Sequence, residues 1–217
     1  MLKLYYNPGS ANLAPHMLLN ELKLPHELIF VDQEKGMHRQ PEYMKLNPTG
    51  RIPVLVDGDM VLFETAAICL HLVDTHPEAG LAPAPGTKER AEFYKWLVYL
   101  TNTLQAELIT YFYPDRLVDD AAQAAVVKRH AEERVGSMLD LMESHLADKA
   151  AAGQGPFFLG DRLSVVDHYA FMLSRWTRGM QNPARNRPQL SRFQQMMLAR
   201  PAVKKTFEAE GLGEPYV

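Results

Sequence analysis

The chain has 217 residues, a length that allows one large hydrophobic core or two smaller ones. Hydrophobic residues make up 47% of the chain and charged residues 23%, which is typical of a folded protein and excludes a disordered one. The formal net charge of −3 is spread along the chain without a basic block, so nothing indicates binding to nucleic acid.

The first part of the chain alternates predicted strands and helices. The apolar run Leu2–Tyr6, ended by the turn residues Asn7-Pro8-Gly9, predicts a short buried strand. Apolar residues at helical spacing predict a helix over Ala14–Leu24, and Glu27–Val31 predicts a second strand. A strand, a helix and a strand in this order predict a βαβ unit with a parallel strand pair.

A hairpin and a third helix are predicted next. The apolar runs Ile52–Val56 and Met60–Phe63 flank Asp57-Gly58, and Asp-Gly between two apolar runs is a strong hairpin signal. These two strands should therefore be antiparallel. Thr65–Thr75 carries apolar residues at helical spacing and predicts the helix that follows. The order βαβ and then ββα predicts a small mixed sheet covered by helices.

The composition changes at the proline-rich segment 82–86, which predicts a linker. Beyond it only helical patterns occur, over residues 87–113, 121–152, 164–178, 189–199 and 202–210. We therefore expect an α/β domain over residues 1–80, a linker over 81–86 and an all-α domain over 87–217.

The location of the protein is predicted from its cysteine content and its apolar segments. The single cysteine, Cys69, cannot form an internal disulfide, which fits a reducing compartment. The N-terminus shows no secretory signal, and no apolar run is long enough to span a membrane. We expect a soluble, cytoplasmic protein.

Four motifs carry more specific information. They are the opening Lys3–His16, the segment Asn47–Leu55, the pair Glu64-Thr65 followed by Ala-Ala-Ile, and the segment Gly160–Asp167. In this order and spacing they resemble the cytosolic glutathione transferase superfamily, and the opening is similar to its bacterial beta class. The resemblance covers nearly the whole chain. It implies a thioredoxin-like N-terminal domain that binds glutathione, followed by an all-helical domain that forms the pocket for the second substrate.

The resemblance implies how glutathione is held. Pro53, after Ile52, should be cis, which would present the main chain of Val54 to the cysteinyl residue of glutathione as in β-augmentation. The start of the third helix, with Glu64 and Thr65, suits the γ-glutamyl end, because unpaired N–H groups and the helix dipole favour a carboxylate. Without the resemblance, Pro53 would be a trans proline at a strand start, Thr65 a helix cap and Glu64 a residue that complements the dipole.

Polar loop residues are candidates for the glycyl carboxylate of glutathione. They are Gln33, Lys35, His38 and Arg51. Residues of this kind in loops are usually just solvated, and that alternative stays open for each of them.

The chemistry that the resemblance implies is activation of the glutathione thiol. Hydrogen bonds to a thiolate lower the pKa of the thiol, and donors for this purpose belong in the loop 7–12, just before the first helix. Ser10 is the first candidate, Asn12 the second, and Tyr5 and Tyr6 are weaker ones. The alternative for Ser10 is a turn hydroxyl satisfied locally.

The sequence departs from the beta-class pattern at two positions. Ala11 stands where that class carries a cysteine, and Gln105 aligns near a histidine of the helical wall of its pocket. A mixed disulfide with the protein is therefore not expected. The departure leaves open whether catalysis is retained.

The helical domain should supply the electrophile pocket. Candidates for its lining are Leu108, Tyr111, Tyr113 and Trp176, each of which could instead be ordinary core. Ser164 and Asp167 form a capping box that fixes a helix start and does no chemistry. Cys69, inside an apolar helix, is expected to be an inert packed thiol.

The eight histidines predict no metal site. Three of them, His16, His71 and His76, lack a partner at ligand spacing. His130 and His145 are expected on solvated helix faces. No metal and no cofactor besides glutathione as co-substrate is predicted.

The functional prediction is a glutathione transferase that conjugates the thiolate of reduced glutathione to hydrophobic electrophiles in detoxification. Two alternatives remain open from the sequence. One is a glutathione-dependent lyase, dehalogenase or isomerase that acts on a specific metabolite. The other is a non-catalytic glutathione-binding protein. By resemblance the chain should form a homodimer.

Overall fold

The computed structural model describes all 217 residues. They form two compact units, described separately below. The sheet unit comprises residues 1–82 and 198–216, and the helical unit comprises residues 83–197 with Val217.

A four-stranded sheet lies at the centre of the sheet unit. Its strands are β1 (Leu2–Tyr6), β2 (His26–Phe30), β3 (Val54–Asp57) and β4 (Met60–Phe63), in the order β2-β1-β3-β4. Strands β1 and β2 are parallel, whereas β3 is antiparallel to both β1 and β4. This pairing confirms the predicted βαβ unit and the predicted hairpin at Asp57-Gly58.

Three helices of the N-terminal region accompany the sheet: α1 (Leu13–Glu21), α2 (Pro41–Leu46) and α3 (Thr65–Asp74). Helix α1 is buried from Leu13 to Asn20, so it has almost no exposed face. The reason is that α1 packs against α3 and also against the last helix, α9 (Pro201–Ala209). The prediction assigned residues 201–209 to the helical domain, whereas the contacts group α9 with the sheet. The predicted domain boundaries stay a prediction.

The helical unit contains α4 (Lys88–Val98), α5 (Ala106–Phe112), α6 (Ala121–Ala151), α7 (Val165–Trp176) and most of α8 (Pro188–Ala199). The predicted helix 87–113 is interrupted by a π-helical segment, Tyr99–Gln105, which the apolar pattern does not reveal. None of the helices is both long and apolar enough to cross a lipid bilayer. The fold class is confirmed as an α/β sheet unit followed by helices.

The capping box predicted at the start of α7 is present. The carboxylate of Asp167 accepts hydrogen bonds from the main-chain N–H of Ser164 at 2.8 Å and from the Ser164 hydroxyl at 2.9 Å. Its second oxygen accepts from the N–H of Phe158 at 2.9 Å. Asp167 is fully buried, so this one side chain joins the helix start to the segment before it.

Replacing Asp167 by asparagine is expected to destabilise the protein by about 2 kcal/mol, because the amide nitrogen would face a buried N–H donor. Urea unfolding of the wild type and the Asp167→Asn variant measures this loss. The exposed Asp161→Asn variant is the control and should unfold like the wild type. Equal stability of Asp167→Asn and wild type would contradict the assignment of these hydrogen bonds.

Candidate functional site

The loop 7–12, which links β1 to α1, is fastened by the side chain of Asn12. Asn12 is fully buried, and its Oδ1 accepts from the N–H of Asn7 at 3.0 Å and from the hydroxyl of Ser10 at 2.5 Å. Its Nδ2 donates to Oε1 of Glu210 at 2.8 Å. The amide oxygen of Asn12 and one hydrogen of its amide nitrogen are thus occupied within the protein, so Asn12 positions the loop.

Glu210, which follows α9, is the centre of this network. The N–H of Gly9 donates to its Oε2 at 2.8 Å, and Nδ1 of His16 lies 2.7 Å from its Oε1, together with the Asn12 donor. The side chain of Glu210 has no exposed surface. A carboxylate buried in this way is stable only because donors surround it.

Neither Glu210 nor its contact with His16 was predicted from the sequence. One weak signal was available: an acidic residue at the C-terminal end of a helix opposes the helix dipole and so indicates a compensating contact. The pattern could not identify that contact, because Gly9 and Glu210 are 201 positions apart.

The tyrosines of β1 point in different directions, as neighbouring strand residues do. The ring of Tyr5 packs edge-on against Tyr43 at 5.9 Å, in a cluster with Val31 and Val54. Tyr6 instead contacts Phe30, and burial followed by the negative charge of Glu210 raises the pKa of Tyr6. Tyr5 is therefore a packing residue, and Tyr6 keeps its phenolic proton at neutral pH.

The Ile52–Pro53 peptide bond is cis, which confirms that prediction. The associated prediction for Val54 needs correction. Val54 lies opposite Tyr5 of β1 and Phe63 of β4, so its main chain belongs to an interior strand with neighbours on both sides. Ile52, before the cis bond, lies outside the strand, and no main-chain hydrogen bond occupies its N–H or C=O. Ile52 is the residue free to pair with an added peptide.

Helix α3 begins beside the loop that carries Ser10. The hydroxyl of Thr65 donates to the carbonyl of Ala11 at 3.2 Å. The first hydrogen bond of the helix runs from the N–H of Ile68 to the carbonyl of Glu64, which leaves the N–H groups of residues 65–67 free. Glu64 is exposed and has a φ of 73°, an unusual value for a residue other than glycine. Such outliers cluster at ligand sites.

The four candidates for the glycyl carboxylate differ in their surroundings. Lys35 is 81% exposed and pairs with Asp32 at 3.0 Å, so part of its charge is already matched. Nδ1 of His38 is buried without a partner, and burial followed by the charge of Arg39 lowers the pKa of His38. The side chains of Gln33 and Arg51 are exposed. Their role in binding stays a prediction.

The candidates for the electrophile pocket differ in how far their side chains are buried. Leu108 has no exposed surface and Tyr111 is 8% exposed, so both are core residues of the helical unit with little surface for a ligand. Tyr113 is exposed, with the guanidinium of Arg116 over its ring at 3.8 Å, and Trp176 is half-buried beside Phe112. Tyr113 and Trp176 remain candidates.

Gln105 lies at the end of the π-helical segment and accepts a hydrogen bond from the hydroxyl of Tyr169. This bond takes up the amide oxygen of Gln105 and directs its amide nitrogen away from Tyr169. π-Helical turns are frequent at functional sites. No sequence pattern connects Gln105 and Tyr169, which are 64 positions apart.

One prediction about the histidines needs correction. His16 contacts Glu210 through Nδ1, which does not bear on the prediction that it lacks a partner at metal-ligand spacing. His145 is not on a solvated face: it is half-buried, its Nε2 donates to the carbonyl of Phe158 at 2.8 Å, and its ring lies 4.4 Å from that of Trp96. Burial is the main reason that the pKa of His145 is lowered. His130 is exposed, as predicted.

Cys69 is a free cysteine buried within α3, as predicted. Burial raises the pKa of its thiol, which disfavours the reactive thiolate. No group of three or more His, Cys, Asp or Glu side chains is arranged to hold a metal ion.

The fold and the cis-proline segment define the class of protein: a thioredoxin-like unit joined to a helical unit. Family comparison is more specific. Residues 1–74 match the model of the glutathione S-transferase N-terminal domain, and residues 102–210 match that of the C-terminal domain. The chain belongs to the glutathione S-transferase family.

Individual relatives agree with this assignment. Glutathione S-transferase 3 of Zea mays is 34% identical over 99% of this chain and 96% of its own length. A glutathione transferase homologue from Sulfitobacter, solved with bound glutathione, superposes with a TM-score of 0.87 at 27% identity, covering 98% of this chain and 99% of its own. The bacterial beta-class enzyme of Sphingomonas chungbukensis has a TM-score of 0.83 at 28% identity, covering 97% of this chain and 100% of its own.

Proposed function

We propose that the protein binds reduced glutathione on the sheet unit and transfers its thiolate to a hydrophobic electrophile. One observation carries this proposal: the hydroxyl of Thr65 reaches the carbonyl of Ala11, so the start of α3 adjoins the loop of Ser10. A site for a carboxylate and a site for a thiolate are therefore within reach of one short peptide. A homologue solved with bound glutathione supports the same ligand.

In this proposal the ends of glutathione are bound by groups of matching charge. Its γ-glutamyl carboxylate meets the free N–H groups of residues 65–67, and its ammonium meets the exposed carboxylate of Glu64. Its cysteinyl residue pairs with the main chain of Ile52, beside Pro53 and Val54. Its glycyl carboxylate is matched by basic or polar side chains of the surrounding loops, namely Gln33, Lys35, His38 and Arg51.

Thiol activation is assigned to Ser10. A free thiol has a pKa of about 8.5 and is only a few per cent ionised at neutral pH, so a donor that stabilises the thiolate raises the rate. The Ser10 hydroxyl donates to Asn12 without ligand, and rotation about one bond redirects it to a sulfur. Tyr6, whose raised pKa keeps it protonated, is the other side-chain candidate for this donor.

The second substrate is a small hydrophobic electrophile, with Tyr113 and Trp176 as the remaining candidates for its contacts. We further propose a homodimer that acts in the cytoplasm in detoxification, as the family resemblance implies. Ala11, in place of the beta-class cysteine, favours conjugation over redox chemistry through a protein thiol, because Cys69 is buried. A lyase, dehalogenase or isomerase reaction of glutathione, or binding without catalysis, is the alternative.

Titration calorimetry with reduced glutathione, and turnover of 1-chloro-2,4-dinitrobenzene, test the proposal. We expect binding in the micromolar to millimolar range, and binding of cysteinylglycine, which lacks the γ-glutamyl end, that is weaker by at least about tenfold. Conjugation should be detectable by absorbance. Binding without turnover on a broad panel of electrophiles would favour the non-catalytic alternative, and no binding at millimolar glutathione would refute the proposal.

A further inference from the structure

A cavity separate from the proposed glutathione site lies in the sheet unit, between α1, α9 and the start of β2. Its volume is about 260 Å³. The lining residues are His16, Asn20, Leu24, Pro25, His26, Leu28, Lys205 and Ala209. None of them is among the residues assigned to glutathione or to the electrophile.

The titratable side chains that line this cavity are all basic, and Asn20 is its one neutral polar side chain. His16, His26 and Lys205 line it, and no acidic side chain does. Lys205 forms no ion pair, and its charge acts on His26. The carboxylate of Glu210 lies behind His16 and already accepts hydrogen bonds from Gly9, Asn12 and His16.

Hydrogen bonds fix the orientation of both imidazoles. Nδ1 of His26 lies 2.8 Å from the carbonyl of Leu24, which can only accept, so Nδ1 carries the proton. Nδ1 of His16 likewise donates to the carboxylate of Glu210. In neither ring does Nε2 have a partner in the protein, and the two ring centroids are 5.4 Å apart. Nε2 of both histidines therefore lacks a hydrogen-bond partner in the protein, and the ammonium of Lys205 lacks an ion-pair partner.

The remaining wall of the cavity is apolar. It consists of Leu24, Pro25, Leu28 and Ala209. A cavity with one basic end and an apolar wall matches a ligand with one anionic end and a short hydrocarbon chain. A bound cation or a metal ion would instead be repelled by Lys205.

We propose that this cavity binds a small aliphatic carboxylate, with the carboxylate against His26, Lys205 and His16 and the chain against Leu24 and Leu28. The proposal does not depend on the glutathione site, since it uses other residues and another chemistry.

Binding should be coupled to protonation of His26. Burial, and to a smaller extent the charges of His16 on α1 and Lys205 on α9, lower the pKa of His26, while its bond to Leu24 opposes the shift. A bound carboxylate favours the protonated imidazole and raises that pKa again. Affinity should therefore increase as the pH falls through the range between the pKa of His26 in the complex and its lower pKa in the free protein, with uptake of a proton on binding.

Titration calorimetry with hexanoate tests the site directly. We expect hexanoate to bind at least about tenfold more tightly than each of three control compounds. Hexan-1-ol lacks the negative charge, hexylamine carries a positive charge instead, and acetate lacks the hydrocarbon chain. The heat should differ between buffers of different ionisation enthalpy, as proton uptake requires. Hexylamine or hexan-1-ol binding as tightly as hexanoate, or no binding of hexanoate at millimolar concentration, would overturn the proposal.

Two matched variants locate the site. Lys205→Glu reverses a charge that lines the cavity, whereas Lys204→Glu makes the same change at the exposed neighbouring position on α9, outside the lining. Lys205→Glu should weaken hexanoate binding by at least about tenfold and leave glutathione affinity unchanged, and Lys204→Glu should change neither. His26→Gln should abolish the proton uptake. Equal hexanoate affinities in Lys205→Glu and Lys204→Glu would show that hexanoate binds elsewhere, and the proposal would fail even if glutathione binding is normal.

Discussion

Replacing Ser10 by alanine is expected to lower kcat/KM for glutathione conjugation by about tenfold to a hundredfold near neutral pH. The hydroxyl of Ser10 is the donor assigned to the thiolate. Its loss should raise the pKa of the bound thiol by about one to two units, where each unit corresponds to about 1.4 kcal/mol of stabilisation of the anion. The rate loss should diminish at high pH, where the thiol ionises without help.

The variant leaves the loop itself intact. Asn12 still accepts from the N–H of Asn7 and still donates to Glu210, so unfolding stability should change by no more than about 1 kcal/mol. Titration of the ultraviolet absorbance of bound thiolate measures the pKa directly. Ser10→Thr, which keeps a hydroxyl, is the matched control and should retain most of the activity.

An unchanged thiolate titration in Ser10→Ala would remove Ser10 from the mechanism. The main-chain N–H groups of Ala11 and Asn12 would then be the donors to examine, because neither forms a main-chain hydrogen bond. Tyr6→Phe would test the remaining side-chain donor in the same assay.

The sequence predicted those features that depend on local pattern. Strands β1 and β4 begin and end where the apolar runs do, and the Asp57-Gly58 hairpin follows from turn chemistry. The capping box of Ser164 and Asp167 spans only four residues, so it too could be predicted from a local pattern. The cis bond at Pro53 followed only from the family resemblance, since isolated X–Pro bonds favour trans.

Features that depend on packing between distant segments could not be predicted. The register of β3 pairs Val54 with residues of both β1 and β4, so the main chain that is left unpaired belongs to Ile52. Aromatic and aliphatic residues at helical spacing look alike whether they line a pocket or fill a core, so the sequence left both alternatives open for Leu108, which is fully buried. Helix α9 lies on α1 because its apolar face matches that helix, a match between segments far apart in the chain.

Glu210→Gln is expected to destabilise the protein by about 3 kcal/mol, since it removes a buried carboxylate that accepts from three donors. The carbonyl oxygen of glutamine can replace Oε1 and accept from Asn12 and His16. Its amide nitrogen then faces the N–H of Gly9, where two donors meet and neither is satisfied. The reverse orientation is worse, because the amide nitrogen would face the Nδ2 donor of Asn12.

The same substitution should also weaken glutathione binding, because Gly9 and Asn12 hold the loop that carries Ser10. Urea unfolding gives the stability loss, and calorimetry with reduced glutathione gives the change in affinity. Glu208→Gln makes the same chemical change at an exposed position on α9 and should unfold and bind like the wild type. If the two variants unfold alike, the buried carboxylate does not stabilise the loop. If Glu210→Gln loses stability but binds glutathione normally, the network supports the fold without positioning the site.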